Sequence, residues 1–143
     1  MKVKVNEKLD DLHFLINQIK KVSKNIGAIA IFIGIVRETS KNAKVLKLEY
    51  EAHETLANET LKEIIRDVKE KYGVIDAIVE HRLGSVSVGE NIMYVIVASK
   101  HREEAFKALI ELVDRIKHEV PIWKKEVTEK GAYWVKGEKG KKS

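Results

Sequence analysis

The sequence of 143 residues contains no cysteine, one proline and only five arginines. Without cysteine the chain can form no disulfide, use no thiolate nucleophile and build none of the usual cysteine-based zinc sites. Its five histidines show no metal-ligand spacing, so we expect neither a metal nor a bound cofactor. Any chemistry carried out by this chain must therefore rest on other side chains.

Long apolar runs are also missing. The longest, GAIAIFIGIV at residues 27–36, has ten residues, whereas a membrane helix needs about 20. The N-terminus, MKVKVNEKLDDL, lacks the apolar run of a signal peptide. We therefore expect a cytoplasmic protein without membrane contact, and the length predicts a single domain over residues 1–143.

The charge of the chain is unevenly built: 22 lysines and five arginines face 22 acidic residues, for a net charge of +5. A nucleic-acid-binding protein typically clusters arginine and lysine together with exposed aromatic residues. Here the lysines are spread along the chain between glutamates, which is typical of a solvated, heat-adapted surface. No nucleic-acid partner is expected. RNA binding is the alternative suggested by the basic isoelectric point, and it would require a steep salt dependence.

Apolar residues recur at helical spacing in three segments, which predicts three helices. The first runs from about residue 8 to 22, the second from about 54 to a C-cap at Gly73, and the third from 102 to 119. The third ends before Pro121, because the residue preceding a proline is pushed into the extended region. Its predicted buried stripe consists of Phe106, Ile110, Val113 and Ile116.

Strand signals lie between these helices. GAIAIFIGIV is apolar at nearly every position, which predicts a central strand covered on both faces. VLKLEYEA alternates, with Leu46, Leu48 and Tyr50 on one face and charged residues on the other. Further strands are predicted at 74–84 and 91–99, and a closing hairpin at 122–135. The pattern indicates an α+β domain with a mixed, largely antiparallel sheet, followed by a mobile basic tail from about residue 136.

The segment IKHEVPIWKKE holds the only proline and two lysines seven residues apart, Lys117 and Lys124. Lys117 lies four residues after Val113, at the edge of the predicted buried stripe, where lysine is unusual. One explanation is structural: a cation in the last helical turn gains about 0.3–1 kcal/mol from the helix dipole while its stem covers the core. Lys124 also has a structural explanation: on an edge strand, the charge of a lysine opposes aggregation.

Two further segments place cations at element ends. In ASKHREEAF a strand ends and a helix begins, so His101 and Arg102 lie where free backbone N–H groups favour an anion. The alternative is that Glu103 and Glu104 serve the helix dipole themselves. Arg37 ends the apolar strand in FIGIVR, and strand ends often open onto clefts; alternatively it is a plain boundary residue.

In this order and spacing FIGIVR, LEYEAH, EHRLGSVSVGE, SKHREEAF and VPIWKKE, followed by GAYWV, resemble the large (catalytic) subunit of molybdopterin synthase. The resemblance covers roughly residues 27–135. It implies an α/β hammerhead fold, which belongs to the α+β class. It also implies a sulfurtransferase, which converts cyclic pyranopterin monophosphate (precursor Z) into the dithiolene molybdopterin.

In the family that this chain resembles, the sulfur comes from the C-terminal thiocarboxylate of a small ubiquitin-like partner, whose Gly-Gly tail enters the pocket. A sulfur donor on the partner agrees with the absence of cysteine here. The resemblance implies that Lys117 and Lys124 are catalytic. The substrate-binding residues that it implies are Ile35, Val36, Arg37, His101, Arg102, Lys125 and Glu126. Some relatives carry a further arginine after the GxxWV segment, where this chain has only Lys136 and Lys139 nearby.

The two cationic motifs lie at opposite ends of the third predicted helix. His101 and Arg102 precede Lys117 by sixteen and fifteen residues, which at 1.5 Å per residue is roughly 22–24 Å. Motifs so far apart can meet on one small substrate only if they come from different chains. We therefore predict a homodimer with shared pockets and one small partner at each distal end, a heterotetramer. The alternatives are that His101 and Arg102 only cap their helix or bind a remote anion, or that the whole chain is a non-catalytic anion-binding scaffold.

Overall fold

In the computed structural model, which describes residues 1–41 and 43–135, three helices and nine strands follow one another. The helices are α1 (Leu12–Lys20), α2 (Glu54–Tyr72) and α3 (Arg102–Glu119). The strands are β1 (Lys2–Asn6), β2 (Ala28–Ile35), β3 (Thr39–Ser40), β4 (Ala43–Ala52), β5 (Asp76–Arg82), β6 (Gly84–Ser87), β7 (Asn91–Ser99), β8 (Ile122–Thr128) and β9 (Gly131–Val135). The predicted α+β class is confirmed. Within the described residues, no helix is both long and apolar enough to span a membrane.

The first sheet has the strand order β1-β5-β7-β2. Only β1 and β5 are parallel, and the other pairs in this sheet are antiparallel. The sheet is thus mixed and largely antiparallel, as predicted. Strand β1 was not predicted, because its short KVKVN segment is indistinguishable from an exposed charged terminus until it pairs with β5.

Strand β2 corrects one prediction. Its apolar composition predicted a central strand, but β2 lies at the edge of the sheet and pairs only with β7 among the described residues. Ile33 is 36% exposed and Ile35 50% exposed. An apolar composition indicates that a strand tends to be buried, but it does not indicate which element buries it. In the described part of this chain, one edge of β2 has no neighbouring strand.

The second sheet has the order β3-β4-β8-β9, with β6 also paired to β4. A register shift between Val45 and Lys47 turns the first half of β4, so Leu46 is 50% exposed although alternation predicted it to be buried. Beyond the shift the alternation holds, and Leu48 and Tyr50 are buried as predicted. The predicted closing hairpin is β8–β9; it turns at Gly131, whose φ of 143° favours glycine.

Helices α2 and α3 confirm their predicted bounds, whereas α1 is shorter than the predicted 8–22 because its N-cap is Asp11, which accepts a hydrogen bond from Phe14 N at 3.1 Å. Gly73 closes α2 in the left-handed region at φ 67°. The predicted stripe of α3 is partly wrong, since Phe106 and Ile110 are 58% and 65% exposed. The buried residues of α3 are Ala105, Ala108, Leu112 and Ile116.

The alanines explain this rotation of α3. A helix that presents small residues can approach a sheet closely, and Ala105 and Ala108 are among the core residues shared with the first sheet. Side chains of α2 and α3 cover one face of that sheet, while Leu15 and Ile19 of α1 cover the other. A third cluster, around Val86 and Leu48, lies within the second sheet. The junction between the two sheets and the end of α3 therefore remains available for a site.

Candidate active site

A cavity of about 520 Å³ lies at this junction. The end of β2, the last turn of α3 and one face of β4 and β8 form its walls. Its apolar lining includes Phe32, Met93 and Ile116, and its charged lining consists of Arg37, Lys117, Lys124 and Glu126. Three cations thus face one carboxylate. A hollow of this size, lined by apolar side chains together with a few convergent polar groups, is typical of a small-molecule site.

Lys117 lies at the end of α3, in the helical turn where the dipole favours a cation. Its side chain crosses the cavity wall, with Nζ 5.7 Å from the centroid of the Phe32 ring. This distance is within cation–π range, which holds the ammonium over an aromatic face without neutralising it. Lys117 is exposed and lines the cavity, and Arg37, which was expected to open onto a cleft from its strand end, lines it as well.

Lys124 reaches the same cavity from β8. It lies directly opposite Tyr50 of β4 in the antiparallel register, and it is half-buried. Glu126, two residues further along the strand, also lines the cavity because side chains at this spacing share one face. Pro121 ends α3 and Ile122 begins β8, so a sharp change of direction brings lysines from a helix and a strand to one hollow.

Lys125 is placed differently. It lies between Lys124 and Glu126 and does not line the cavity. Its Nζ is 3.7 Å from Glu49 Oε2 and 5.6 Å from the centroid of the Trp134 ring. The alternation of a strand separates neighbouring side chains onto opposite faces. Any contribution of Lys125 to the site must therefore act through the strand or through groups outside this chain.

The end of β2 contributes Ile35 and Arg37, both exposed and both lining the cavity. Val36 between them is only 2% exposed and packs into the cluster of the second sheet, so it supports the wall from behind. A register irregularity between Gly34 and Ile35 accompanies this change of direction.

His101 and Arg102 lie elsewhere. They are exposed at the start of α3 and do not line the cavity. His101 occupies the N-cap position but makes no side-chain capping bond, so the alternative of a plain capping residue has no hydrogen bond to support it. The described part of one chain thus brings Lys117, Lys124, Arg37 and Ile35 together and leaves the His101–Arg102 step apart.

Two titratable groups in the cavity wall were missed. His81 at the end of β5 and Tyr50 of β4 both line the cavity, and their rings meet edge-on at 4.9 Å. Burial lowers the pKa of His81 to about 4, with the charge of Lys124 acting in the same direction. Burial raises the pKa of the Tyr50 phenol. In the sequence, a histidine on the core-facing side of the apolar strand β5 was the signal that could have identified His81.

A metal centre finds no support within the described residues, where no group of three or more histidine, aspartate or glutamate side chains is suitably arranged to hold an ion. The predicted basic tail, including Lys136 and Lys139, lies outside the described residues.

Comparison with known proteins gives consistent matches. The family model described as MoaE protein matches residues 5–119. The molybdopterin synthase catalytic subunit of Pyrococcus abyssi is 41% identical over 117 residues, covering 82% of this chain and 79% of that protein. The subunit of the same name from Bacillus subtilis is 42% identical over 120 residues, covering 83% and 76% respectively.

Solved structures agree with these sequence matches. The crystal structure of molybdopterin synthase from Staphylococcus aureus matches with a TM-score of 0.82 and 31% identity over 94% of this chain and 96% of that one. A protein–protein complex of subunits 1 and 2 of molybdopterin-converting factor from Helicobacter pylori matches with a TM-score of 0.75 and 25% identity, covering 94% and 90%.

Proposed function

This chain belongs to the MoaE protein family, and from that premise we propose that it transfers sulfur to precursor Z as the catalytic subunit of a molybdopterin synthase. Its role in molybdenum cofactor biosynthesis follows from the relatives named molybdopterin synthase catalytic subunit. The proposed sulfur donor is the C-terminal thiocarboxylate of a small ubiquitin-like partner. One observation carries the proposal: Lys117 and Lys124, from a helix end and a strand, converge on one cavity.

The chemistry of the cavity suits such a reaction. Opening a cyclic phosphate and adding sulfur builds negative charge on phosphate and carbonyl oxygens, and fixed cations stabilise that charge. Lys117 and Lys124 supply the cations, and Arg37 adds a third at the rim. Lysine can also donate a proton, which arginine does not do at neutral pH. Apolar neighbours such as Phe32 and Met93 exclude water and thereby strengthen each interaction.

The cavity also suits the tail of a partner. A thiocarboxylate is an anion, and capture of a C-terminal anion by converging cations is a known mode of peptide recognition. A Gly-Gly tail carries no side chains, so it can enter a narrow hollow. The Helicobacter pylori complex contains two subunits of molybdopterin-converting factor, which supports a small partner for this chain as well.

We further propose that two copies of the chain share their sites. Strand β2 is antiparallel to β7, and α3 reverses direction after β7, so β2 and α3 run the same way. Exposed apolar residues follow both elements: Ile33, Ile35, Phe106 and Ile110. These four residues form an exposed apolar strip. A two-fold axis through this strip reverses the direction of the second copy's α3, so the start of that helix lies beside the end of the first copy's α3.

In that dimer His101 and Arg102 of the second copy approach Lys117 and Lys124 of the first. The motifs that one chain keeps about 22–24 Å apart along α3 would then form one pocket. The unpaired edge of β2 would be covered, which removes an aggregation hazard. Each dimer would carry two pockets and bind one small partner at each, as a heterotetramer.

The test is a reconstituted assay in which the purified chain, a thiocarboxylated partner and precursor Z are mixed and the dithiolene product is measured. Product is expected with the wild-type chain and with Lys107→Ala, an exposed α3 lysine outside the cavity. A partner that lacks its last two residues should give none. Absence of product with every component present would leave a non-catalytic anion-binding scaffold as the better description.

A further inference from the structure

Lys117 differs from the other lysines that lie over an aromatic ring. Within the described residues there are four such pairs, and in three of them the lysine also contacts a carboxylate. These three carboxylate pairs are Lys2 with Asp10, Lys71 with Glu111 and Lys125 with Glu49. The fourth lysine is Lys117, and among the described residues the Phe32 ring is the one partner of its ammonium group.

A ring and a carboxylate hold an ammonium group with different consequences. A carboxylate cancels most of the positive charge, so little of it is left for a third group. The π face of phenylalanine attracts the cation through its quadrupole and leaves the net charge unchanged. Because the lysine stem is long and flexible, an attraction at its tip decides where the charge points. Lys117 is therefore held in place with its charge still available to the cavity.

The Phe32 ring is itself fixed. It is half-buried and packs against the core cluster that contains Met93 and Ile116, the residue before Lys117. Phe32 and Gly34 lie on the same face of β2, and the glycine leaves the space beside the ring open. A Cβ atom on Gly34 would lie 3.4 Å from Phe32 Cε2 and 3.8 Å from Phe32 Cζ. The ring therefore lies along the strand beside this glycine, and it lines the cavity from there.

We propose that Phe32 is a positioning residue for Lys117: the face of its ring holds the ammonium group at the cavity, where negative charge develops on the substrate. A charge that is already in place stabilises the transition state because nothing has to reorganise when the reaction occurs. This inference rests on the proposed sulfur transfer and deepens it. The alternative is that Phe32 only excludes water, a role that any apolar side chain of similar size fulfils.

Fluorination of the ring separates these two roles. Fluorine substituents withdraw electron density from the π face and weaken its attraction for a cation, while the ring stays apolar and nearly the same size. Mono-, di- and trifluorinated phenylalanine at position 32 should lower kcat stepwise, to about three- to tenfold below wild type with three fluorines, and leave KM for precursor Z nearly unchanged. A kcat that does not fall with fluorination would overturn the proposal.

The pair of Lys2 and Phe14 is a matched control. Its ammonium-to-centroid distance is also 5.7 Å, but Phe14 lies on α1 and lines no part of the cavity. The same fluorinated residues at position 14 should leave kcat at the wild-type value. An equal stepwise loss at position 14 would show that fluorination acts without regard to the cavity, which would also overturn the proposal.

A second substitution asks whether Phe32 acts through Lys117. Phe32→Leu keeps an apolar side chain but removes the π face, so it should lower kcat about tenfold. In a chain that already carries Lys117→Ala, the same substitution should cause no further loss, because the group that Phe32 positions is gone. Equal losses in the two backgrounds would show that Phe32 acts on the substrate or the solvent, and the positioning role would be withdrawn.

A measurement without substrate tests the contact itself. Protons held over a ring face are shifted upfield by the ring current, so the ε-methylene proton resonances of Lys117 should move downfield in Phe32→Leu. Unchanged Lys117 resonances would refute the contact, and the fluorinated chains, which keep the shape of the ring, guard against a Phe32→Leu chain that fails to fold. A wild-type chain that makes no dithiolene would overturn the proposed function, while this signal still decides whether the ring holds Lys117.

Discussion

The two ends of α3 carry similar charges in different surroundings. At its end, Lys117 opens onto a cavity walled by β2, β4 and β8. At its start, His101 and Arg102 are exposed and line no part of that cavity. Charge in water binds weakly, whereas charge beside an apolar wall binds and stabilises strongly. The comparison indicates that a cationic motif becomes a site when another element lies opposite, and at the start of α3 we propose that this element belongs to a second copy.

The largest effect should follow removal of the cations at the cavity end. We expect Lys117→Ala or Lys124→Ala to lower dithiolene formation by about 10²–10³-fold, the usual loss when one group that stabilises developing charge is removed. Lys117 is exposed, so its loss should change the free energy of unfolding by less than about 0.5 kcal/mol. Product formation and thermal melting are the measurements, with Lys107→Ala as the control. Wild-type turnover in either variant would break the comparison.

At the exposed end, Arg102→Ala should raise KM for precursor Z about tenfold, because a charged contact to substrate is lost. Dimers that combine Lys117→Ala with Arg102→Ala should then recover about half the wild-type activity, since one shared pocket is intact and the pockets act independently. Activity is measured on purified mixed dimers and on both parent dimers, at precursor Z concentrations below KM, where the defect of Arg102→Ala is expressed.

Mixed dimers whose activity does not exceed the average of the two parent dimers would place the whole site within one chain. The role proposed for His101 and Arg102 would then be withdrawn, and the start of α3 would be an ordinary helix end.

Desolvation at the cavity end can be measured through His81. Its pKa falls from 6.5 in the unfolded chain to about 4 in the fold, so the unfolded chain binds the extra proton between these values. Stability is therefore full above pH 6.5 and falls as the pH drops toward 4, by about 3 kcal/mol. His81→Gln should remove this component. Urea unfolding across that pH range measures this pH-dependent part of the free energy of unfolding. His101→Gln, at the exposed end of α3, is the control. An equal loss of pH dependence in both variants would contradict the proposed difference between the two ends.

The smallest effect on the fold should come from the strip between the two ends. Phe106 and Ile110 are exposed in one chain, so Phe106→Ser or Ile110→Ser should alter the free energy of unfolding of a single chain by no more than about 0.5 kcal/mol. Both should nevertheless weaken the dimer, with activity that falls as the protein is diluted. Sedimentation at several concentrations measures this. Unchanged association would show that the second copy lies elsewhere.

Several features of the fold could be predicted because they depend on nearby residues. The bounds of α2 and α3, the cap at Gly73 and the β8–β9 hairpin follow from spacing, glycine and proline within a few positions. The misses share a different cause. Strand β1 needed a partner 76 residues away, as the register of Val3 with Val79 shows, although its own residues carried little signal.

The rotation of α3 and the edge position of β2 were missed for a related reason. Apolar residues were assigned to the core of one chain, yet Phe106, Ile110 and Ile35 face outward. Hydrophobicity favours burial of a side chain, but it does not distinguish burial in the core of one chain from burial in an interface between chains. The same limit hid His81, whose significance depends on Tyr50 and Lys124 from two other strands.

The sequence by itself determined which groups are candidates for the chemistry, lysines in a chain without cysteine, and it contained the order of motifs that marks the MoaE family. Only the tertiary structure decided which of them meet. It placed Lys124 and Glu126 in the cavity, turned Lys125 toward Glu49, and left His101 and Arg102 at the far end of α3. Side-chain identity is a local property, whereas proximity arises from packing between elements distant in the chain, which no short segment encodes.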